Sequence, residues 1–258
     1  MIEEKEYPGH ARRIMSALWG QGQMSFSKAV ALVDHGVNLS SPREVLTTIL
    51  NELDLESDVF ITEGVLDVLD HSAPEPLFGA KIGLDATRRR TDEKERSHAG
   101  ARDPGRPLPD DKAISRSIKG ASRLLTSFHA PSLEVRNRVL LINFAKDAKT
   151  PGRTVSEKIL SKPGLEAFSI FVLLDSAIDL HDYSLVLWKL FNNVDPARDI
   201  VRRNGRIAAD ATKKGPEDGH TRPWPDDIEM DPEIARRVQR RAKDLGIEGF
   251  IYWEQRGF

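Results

Sequence analysis

The sequence contains no cysteine, which excludes disulfide frameworks, thiolate zinc sites and cysteine nucleophiles together and fits a reducing compartment. Long apolar runs are missing too. The most apolar stretch, residues 168–174, falls far short of the ~18 residues of a membrane span and runs into Asp175 and Asp179. Neither sign of charge dominates, since 38 Lys and Arg stand against 40 Asp and Glu. Gross electrostatics therefore make no case for nucleic acid. Residues 1–6 are acidic and carry none of the basic flank, apolar centre and small-residue cleavage site of a secretory signal. A cytoplasmic protein with no integral membrane association is expected. Aromatic residues make up only 7% of the chain, yet four of them fall in residues 249–258.

What is present is a repeat. Leu32-Val33-Asp34 followed by Val37-Asn38-Leu39 returns as Leu173-Leu174-Asp175 followed by Ile178-Asp179-Leu180, and Asn51, Asp54 and Asp58 map onto Asn192, Asp195 and Asp199, all at a shift of 173 − 32 = 141. Pro8-Gly9 answers Pro151-Gly152, Asp85-Ala86-Thr87 answers Asp210-Ala211-Thr212, and Arg106-Pro107-Leu108-Pro109-Asp110-Asp111 answers Arg222-Pro223-Trp224-Pro225-Asp226-Asp227. Each copy alternates short apolar runs with amphipathic stretches, which predicts an α/β fold of two tandem three-layer units, mostly parallel sheets and helices on both faces. The expected strands are 26–33, 59–62, 139–144, 168–174 and one near 200–209. The expected helices are 11–19, 43–53 behind Ser41-Pro42, 155–160, 183–192 behind Asp182, and 232–245.

The units divide as residues 1–87, with an opening strand that is truncated because residues 1–6 are mostly charged, a mobile charged loop and linking helix at 88–130, and a degenerate second unit with an aromatic tail at 131–258. Residues 88–112 hold fourteen charged residues and three apolar ones, so Arg88-Arg89-Arg90, followed by Asp92, Glu93 and Glu95, reads as a solvated face. Gly20-Gln21-Gly22 precedes its strand and lacks a third glycine, which rejects a dinucleotide loop. Asp34 and Asp175 end equivalent strands, and a structural role accepting N–H bonds from the following turn is favoured for both.

Tyr7-Pro8-Gly9-His10-Ala11-Arg12-Arg13, Phe26-Ser27-Lys28 leading into Val33-Asp34, Asp54 with Asp58, Gly83-Leu84-Asp85-Ala86-Thr87, and Asn193-Val194-Asp195-Pro196-Ala197-Arg198-Asp199 together resemble the C-terminal domain of UbiD-type decarboxylases, the polyprenyl hydroxybenzoate carboxy-lyases. The resemblance implies non-oxidative decarboxylation of an aromatic or α,β-unsaturated acid, with quinone biosynthesis as one setting. Prenylated flavin mononucleotide would act as the electron sink while carbon dioxide leaves. The family's catalytic Glu-Arg-Glu set and metal ion belong to a preceding domain, so no catalytic or metal-binding residue is assigned in this chain, and the chain alone is expected to be inactive.

Two elements are singled out on that basis. Lys28 matches the family lysine that meets the flavin, where an ammonium can pair with phosphate oxygens; a lysine at a strand end that snorkels to water is the plain alternative. Leu69, His71, Pro74 and Leu77 lie in a Pro-containing loop resembling the one that closes over substrate, against the alternative of an ordinary crossover. The second unit has Ser169 in place of Lys28 and a shorter loop. The expected partners are a missing N-terminal flavin-binding domain and further copies of the chain, joined through the C-terminal tail at Tyr252 and Trp253. The competing function is a stand-alone noncatalytic assembly module.

Overall fold

The computed structural model of the chain describes residues 1–94, 107–227 and 230–247. Its first sheet has the order β1-β3-β2, with β1 (Ala29–Val33) parallel to β3 (Phe78–Ala86) and β2 (Val59–Val65) antiparallel to it. The side chains of adjacent β1 residues face opposite ways, so the sheet is covered on both sides. Leu32 packs with Met15 of α1 (His10–Trp19), together with Val30 and Phe60. Val33 packs on the other side with Ile49 of α2 (Pro42–Glu52), Leu53, Val59 and Ala86. Helix α2 starts as its sequence dictates: Ser41 accepts the N–H of Glu44, and Pro42 occupies the first turn, where its missing N–H matters least.

The second sheet has the order β4-β5-β6-β8-β7. Strands β5 (Val139–Phe144), β6 (Ile170–Asp175) and β8 (Arg206–Asp210) are parallel, and β4 (Leu125–His129) and β7 (Ile200–Arg203) are antiparallel edges. Ile114 and Ile118 of α3 (Asp111–Ala121) and Val155 and Ile159 of α4 (Gly152–Leu160) cover one face against Leu140, Ile142, Phe171 and Leu173. Val186 of α5 (Tyr183–Asn193) and Leu180 cover the other against Leu141, Val172 and Leu174. A four-residue helix α6 (Pro196–Asp199) and α7 (Pro232–Asp244) complete the order. The fold is therefore α/β with helices on both faces. The two sheets meet where Ile170, Ile200 and Ile207 join the cluster of Val33, Leu53 and Val59, and Arg202 donates to the Val59 carbonyl at 2.9 Å.

Several expectations change. Parallel ladders do not predominate, because each sheet carries antiparallel strands. Residues 22–26 form a 3₁₀ turn, so β1 begins after Lys28 rather than at Phe26. The expected last strand is a hairpin whose turn, Asn204-Gly205, has both φ angles positive, 50° and 67°. Part of 88–130 is neither loop nor linking helix, since it forms β4 of the second sheet. Residues 88–93 are tied down: Arg89 pairs with the buried Asp58, and Glu93 with the buried Lys5 at 3.1 Å. The rest of that loop, residues 95–106, and the aromatic tail from 248 with Tyr252 and Trp253 lie outside the described residues. Ile2 makes one isolated bridge beside β1.

The same hydrogen bonds occur at the repeated sequence positions. Asp34 accepts the N–H of Arg88 (3.2 Å) and Asp175 that of Lys213 (3.1 Å), each in the segment after the neighbouring strand rather than in the following turn. Asp85 receives both polar hydrogens of Thr87, and Asp210 those of Thr212. Asp58 accepts from the Asp54 N–H at 3.0 Å, and Asp199 from the Asp195 N–H at 2.8 Å. Lys5 bridges Asp85 and Glu93 as Lys146 bridges Asp210 and Asp218.

Candidate functional site at the seam

Lys28 leaves the 3₁₀ turn just before β1 and reaches the seam between the two sheets. Its Nζ lies 2.9 Å from Asp70 Oδ2 and 2.8 Å from Ser72 Oγ, with the Asn192 carbonyl of α5 at 3.5 Å. Asp70 is the hub of the loop between β2 and β3. Its Oδ1 accepts the Ser72 N–H (3.0 Å), the Ser72 hydroxyl (2.7 Å) and the Ala73 N–H (3.2 Å). Burial pushes the Asp70 carboxyl up, but the Lys28 charge and these hydrogen bonds outweigh it and hold the group below its ordinary value. The Lys28 side chain is 14% exposed. Lys28 is thus neither a snorkelling lysine nor a free one.

The turn that presents Lys28 is itself fixed by a buried lysine. Lys81, on β3, donates to the Ser25 and Ser27 carbonyls at 2.7 and 2.9 Å, and burial lowers its pKa. Gly64 on β2 makes room for its stem, since a Cβ there would stand 2.8 Å from Lys81 Cε.

The structure divides the four loop residues. His71 faces the second sheet, where its Nε2 lies 3.3 Å from Asn193 Oδ1 and its ring meets Trp224 edge-on at 4.6 Å. Asn193 Nδ2 donates to the Ala211 carbonyl, which leaves Oδ1 as acceptor and puts the proton on His71 Nε2. Burial lowers the His71 pKa against the opposing effects of Asn193 and Asp70, and Lys28 and Lys189 lower it further, so the ring is neutral near pH 7. Leu69, Pro74 and Leu77 point outward beside exposed Val65, Val68 and Phe78, and Leu69 is 83% exposed.

Three further residues of the second unit hold the loop and the start of β3. Arg222 Nη1 donates to the Asp70 and Ala73 carbonyls at 3.2 and 3.1 Å. Trp224 packs against His71. Asp195 Oδ2 accepts the Ala80 N–H at 3.1 Å while its Oδ1 caps α6. The repeated Arg-Pro-Trp-Pro-Asp-Asp string marks the first two, but repetition alone gives no hint that they strap a loop of the other unit.

A lysine and a Pro-containing loop thus sit together at the inter-sheet seam of an α/β scaffold. The profile of the 3-octaprenyl-4-hydroxybenzoate carboxy-lyase C-terminal domain matches residues 2–86 and 114–220, and the chain belongs to that family. A protein of Helicobacter pylori (strain ATCC 700392 / 26695) is 29% identical over 239 residues, covering 92% of this chain and 36% of the relative. One of Archaeoglobus fulgidus is 42% identical over 91 residues, covering 35% of this chain and 19% of the relative. The chain thus spans about a third of the length of the Helicobacter relatives. Among solved structures, the UbiD-class enzyme HmfF from Pelotomaculum thermopropionicum in complex with FMN is 26% identical at a TM-score of 0.32, over 44% of this chain and 23% of that one. An evolved dimeric form of the same enzyme in complex with prFMN is 10% identical at 0.39, over 69% and 43%.

Among the described residues, no group of three or more His, Asp or Glu side chains is placed to hold a metal ion, and no helix is long and apolar enough to cross a membrane.

Proposed function

We propose that this chain is the C-terminal part of a cytoplasmic non-oxidative decarboxylase acting on an aromatic or α,β-unsaturated carboxylic acid. In this reading residues 1–87 and 131–258 are two copies of one unit, and the first keeps the functional elements. The observation that carries the reading is the family match, and the Lys28 ammonium at the seam supports it as a cation that an anionic group reaches by displacing Asp70. The described residues around Lys28 fit one such group, a phosphate, and not a whole flavin. The ring system and the family's metal ion fall to the polypeptide that supplies the remaining length of the relatives. Prenylated flavin mononucleotide, when bound there, supplies the electron sink for loss of carbon dioxide.

The chain's own share is electrostatic and steric. Lys28 exchanges Asp70 for a phosphate oxygen, a swap of one charge-assisted bond for another. The displaced Asp70 stays tied to Ser72 and Ala73, so exchange moves the 67–77 loop as a unit. Leu69, Pro74 and Leu77 then offer apolar contact to the substrate side, while neutral His71 keeps the loop's inner end on α5. The C-terminal tail joins copies of the chain.

Incubation of the chain alone with prenylated flavin and a panel of cinnamic and hydroxybenzoic acids should release no carbon dioxide, and addition of the complementary flavin-domain polypeptide should restore release. Turnover by the chain alone, or none by the pair, refutes the reading. Stable folding of the chain without any affinity for that polypeptide would favour the noncatalytic assembly module.

A further inference from the structure

A cleft of about 900 Å³ opens between α3 and β4, at the edge of the second sheet, and its lining does not include Lys28. One wall carries Lys112, Arg116 and Lys119, at the i, i+4, i+7 spacing that puts all three on one face of α3. The helix cannot turn that face away, because Ile114 and Ile118 on its other side are locked into the core. None of the three cations has an ion-pair partner among the described residues. The opposite wall is Thr126, Ser127 and His129 of β4 together with His181, from the segment after β6. The two imidazole centroids are 4.0 Å apart, and His129 Nε2 lies 2.8 Å from Tyr183 Oη. Asp111 is the one carboxylate in the lining.

Three cations against one carboxylate make the cleft a local positive site in a chain of net charge −2. The facing wall adds two imidazoles at short range, while the Thr126 and Ser127 hydroxyls are already spent on Asn143. A single carboxylate ligand would use one of these groups, whereas phosphate oxygens can use several. The cation row spans roughly 10 Å at 1.5 Å per residue, too short to follow a nucleic-acid backbone.

We propose that this cleft binds a phosphorylated small molecule of about nucleotide size, its phosphate oxygens held by Lys112, Arg116 and Lys119 with His129 and His181 closing the opposite wall. Burial and the neighbouring His181 lower the His129 pKa, against Asp179. A bound anion facing both rings reverses that balance, so binding takes up a proton and tightens as pH falls from 8 to 6. Asp111, Asp179 and the Tyr183 hydroxyl are the other ionisable groups near the rings.

The test is calorimetric titration of the full chain with inorganic pyrophosphate, in two buffers of different ionisation enthalpy. The expected result is one saturable site. Arg116→Gln or Lys119→Gln should weaken it about tenfold or more, His129→Asn should reduce the proton uptake, and Lys28→Met should leave the site intact. Arg237→Gln on α7 serves as the control for diffuse electrostatics. Absence of saturable binding overturns the proposal, as does an equal loss in Arg237→Gln or a loss confined to Lys28→Met.

Discussion

Replacing Asp70 by Asn keeps the shape of the hub and removes its charge. The amide oxygen can still accept the Ser72 and Ala73 N–H groups now bound to Oδ1, while the amide nitrogen in place of Oδ2 confronts the Lys28 ammonium. What is lost is one charge-assisted contact of 2.9 Å between side chains that are 14% and 9% exposed, an interaction worth about 1.5–3 kcal/mol. Ser72 Oγ and the Asn192 carbonyl still solvate Lys28, so about 2 kcal/mol of destabilisation is expected. Lys28→Met with Asp70→Asn closes a double-mutant cycle in which the two changes should couple by a similar amount. Urea denaturation followed by tryptophan fluorescence reads the shift in midpoint, with an unchanged slope as the control. The same Asp70→Asn variant should bind flavin mononucleotide more tightly, because its Lys28 no longer has to exchange a carboxylate. Additive single effects would refute the pairing. A destabilised variant with unaltered affinity for the nucleotide would refute the exchange.

His220 is buried, its pKa lowered to about 4 by burial and then by the Arg198, Arg222 and Lys214 charges. The folded state therefore resists a proton that the unfolded chain accepts near 6.5, and this contribution to stability is full above that pH and is lost as pH falls from about 6.5 to about 4; His220→Gln should flatten that limb of a melting-temperature profile. Arg206 donates to the carbonyls of Phe168, Leu160 and Leu165 at 3.0, 2.9 and 2.7 Å, so Arg206→Met should cost roughly 3–5 kcal/mol in chemical denaturation by orphaning buried acceptors. Gly64→Ala should destabilise by about 1–3 kcal/mol through the clash with the Lys81 stem, seen as a lower melting temperature. Arg222→Ala should leave the cores intact and raise amide exchange at residues 67–77 selectively, since it removes the donor that bridges the Asp70, Ala73 and Glu75 carbonyls to the second unit.

The elements that showed in the sequence are those whose signals are local. Ser41-Pro42 and Asp182 cap α2 and α5 where they should, and the apolar run at 139–144 is β5. β3 escaped notice because Phe78-Gly79-Ala80-Lys81-Ile82-Gly83 interrupts its apolar residues with glycines that admit close neighbours and a lysine whose partners, the Ser25 and Ser27 carbonyls, are more than fifty residues away. The β7–β8 hairpin is encoded in Asn204-Gly205, whose turn splits the single strand that the apolar residues near 200–209 suggest. At the seam, Lys28 and the loop were legible only through family resemblance. Their actual partners, Asp70 with Ser72 inside the loop and Arg222, Trp224 and Asn193 from the second unit, depend on how the two sheets meet, which no local pattern encodes.

The account rests on Lys28 as an anion contact for the flavin, and cofactor retention tests that most directly. The chain should be paired with the polypeptide that completes its relatives' length, loaded with prenylated flavin mononucleotide and purified, and its occupancy read from the flavin absorbance of wild type and of Lys28→Met. The account predicts an intact, folded variant whose affinity for the cofactor falls about tenfold or more. Equal occupancy in the two proteins would contradict it and leave Lys28 as an internal tie between the loop and α5.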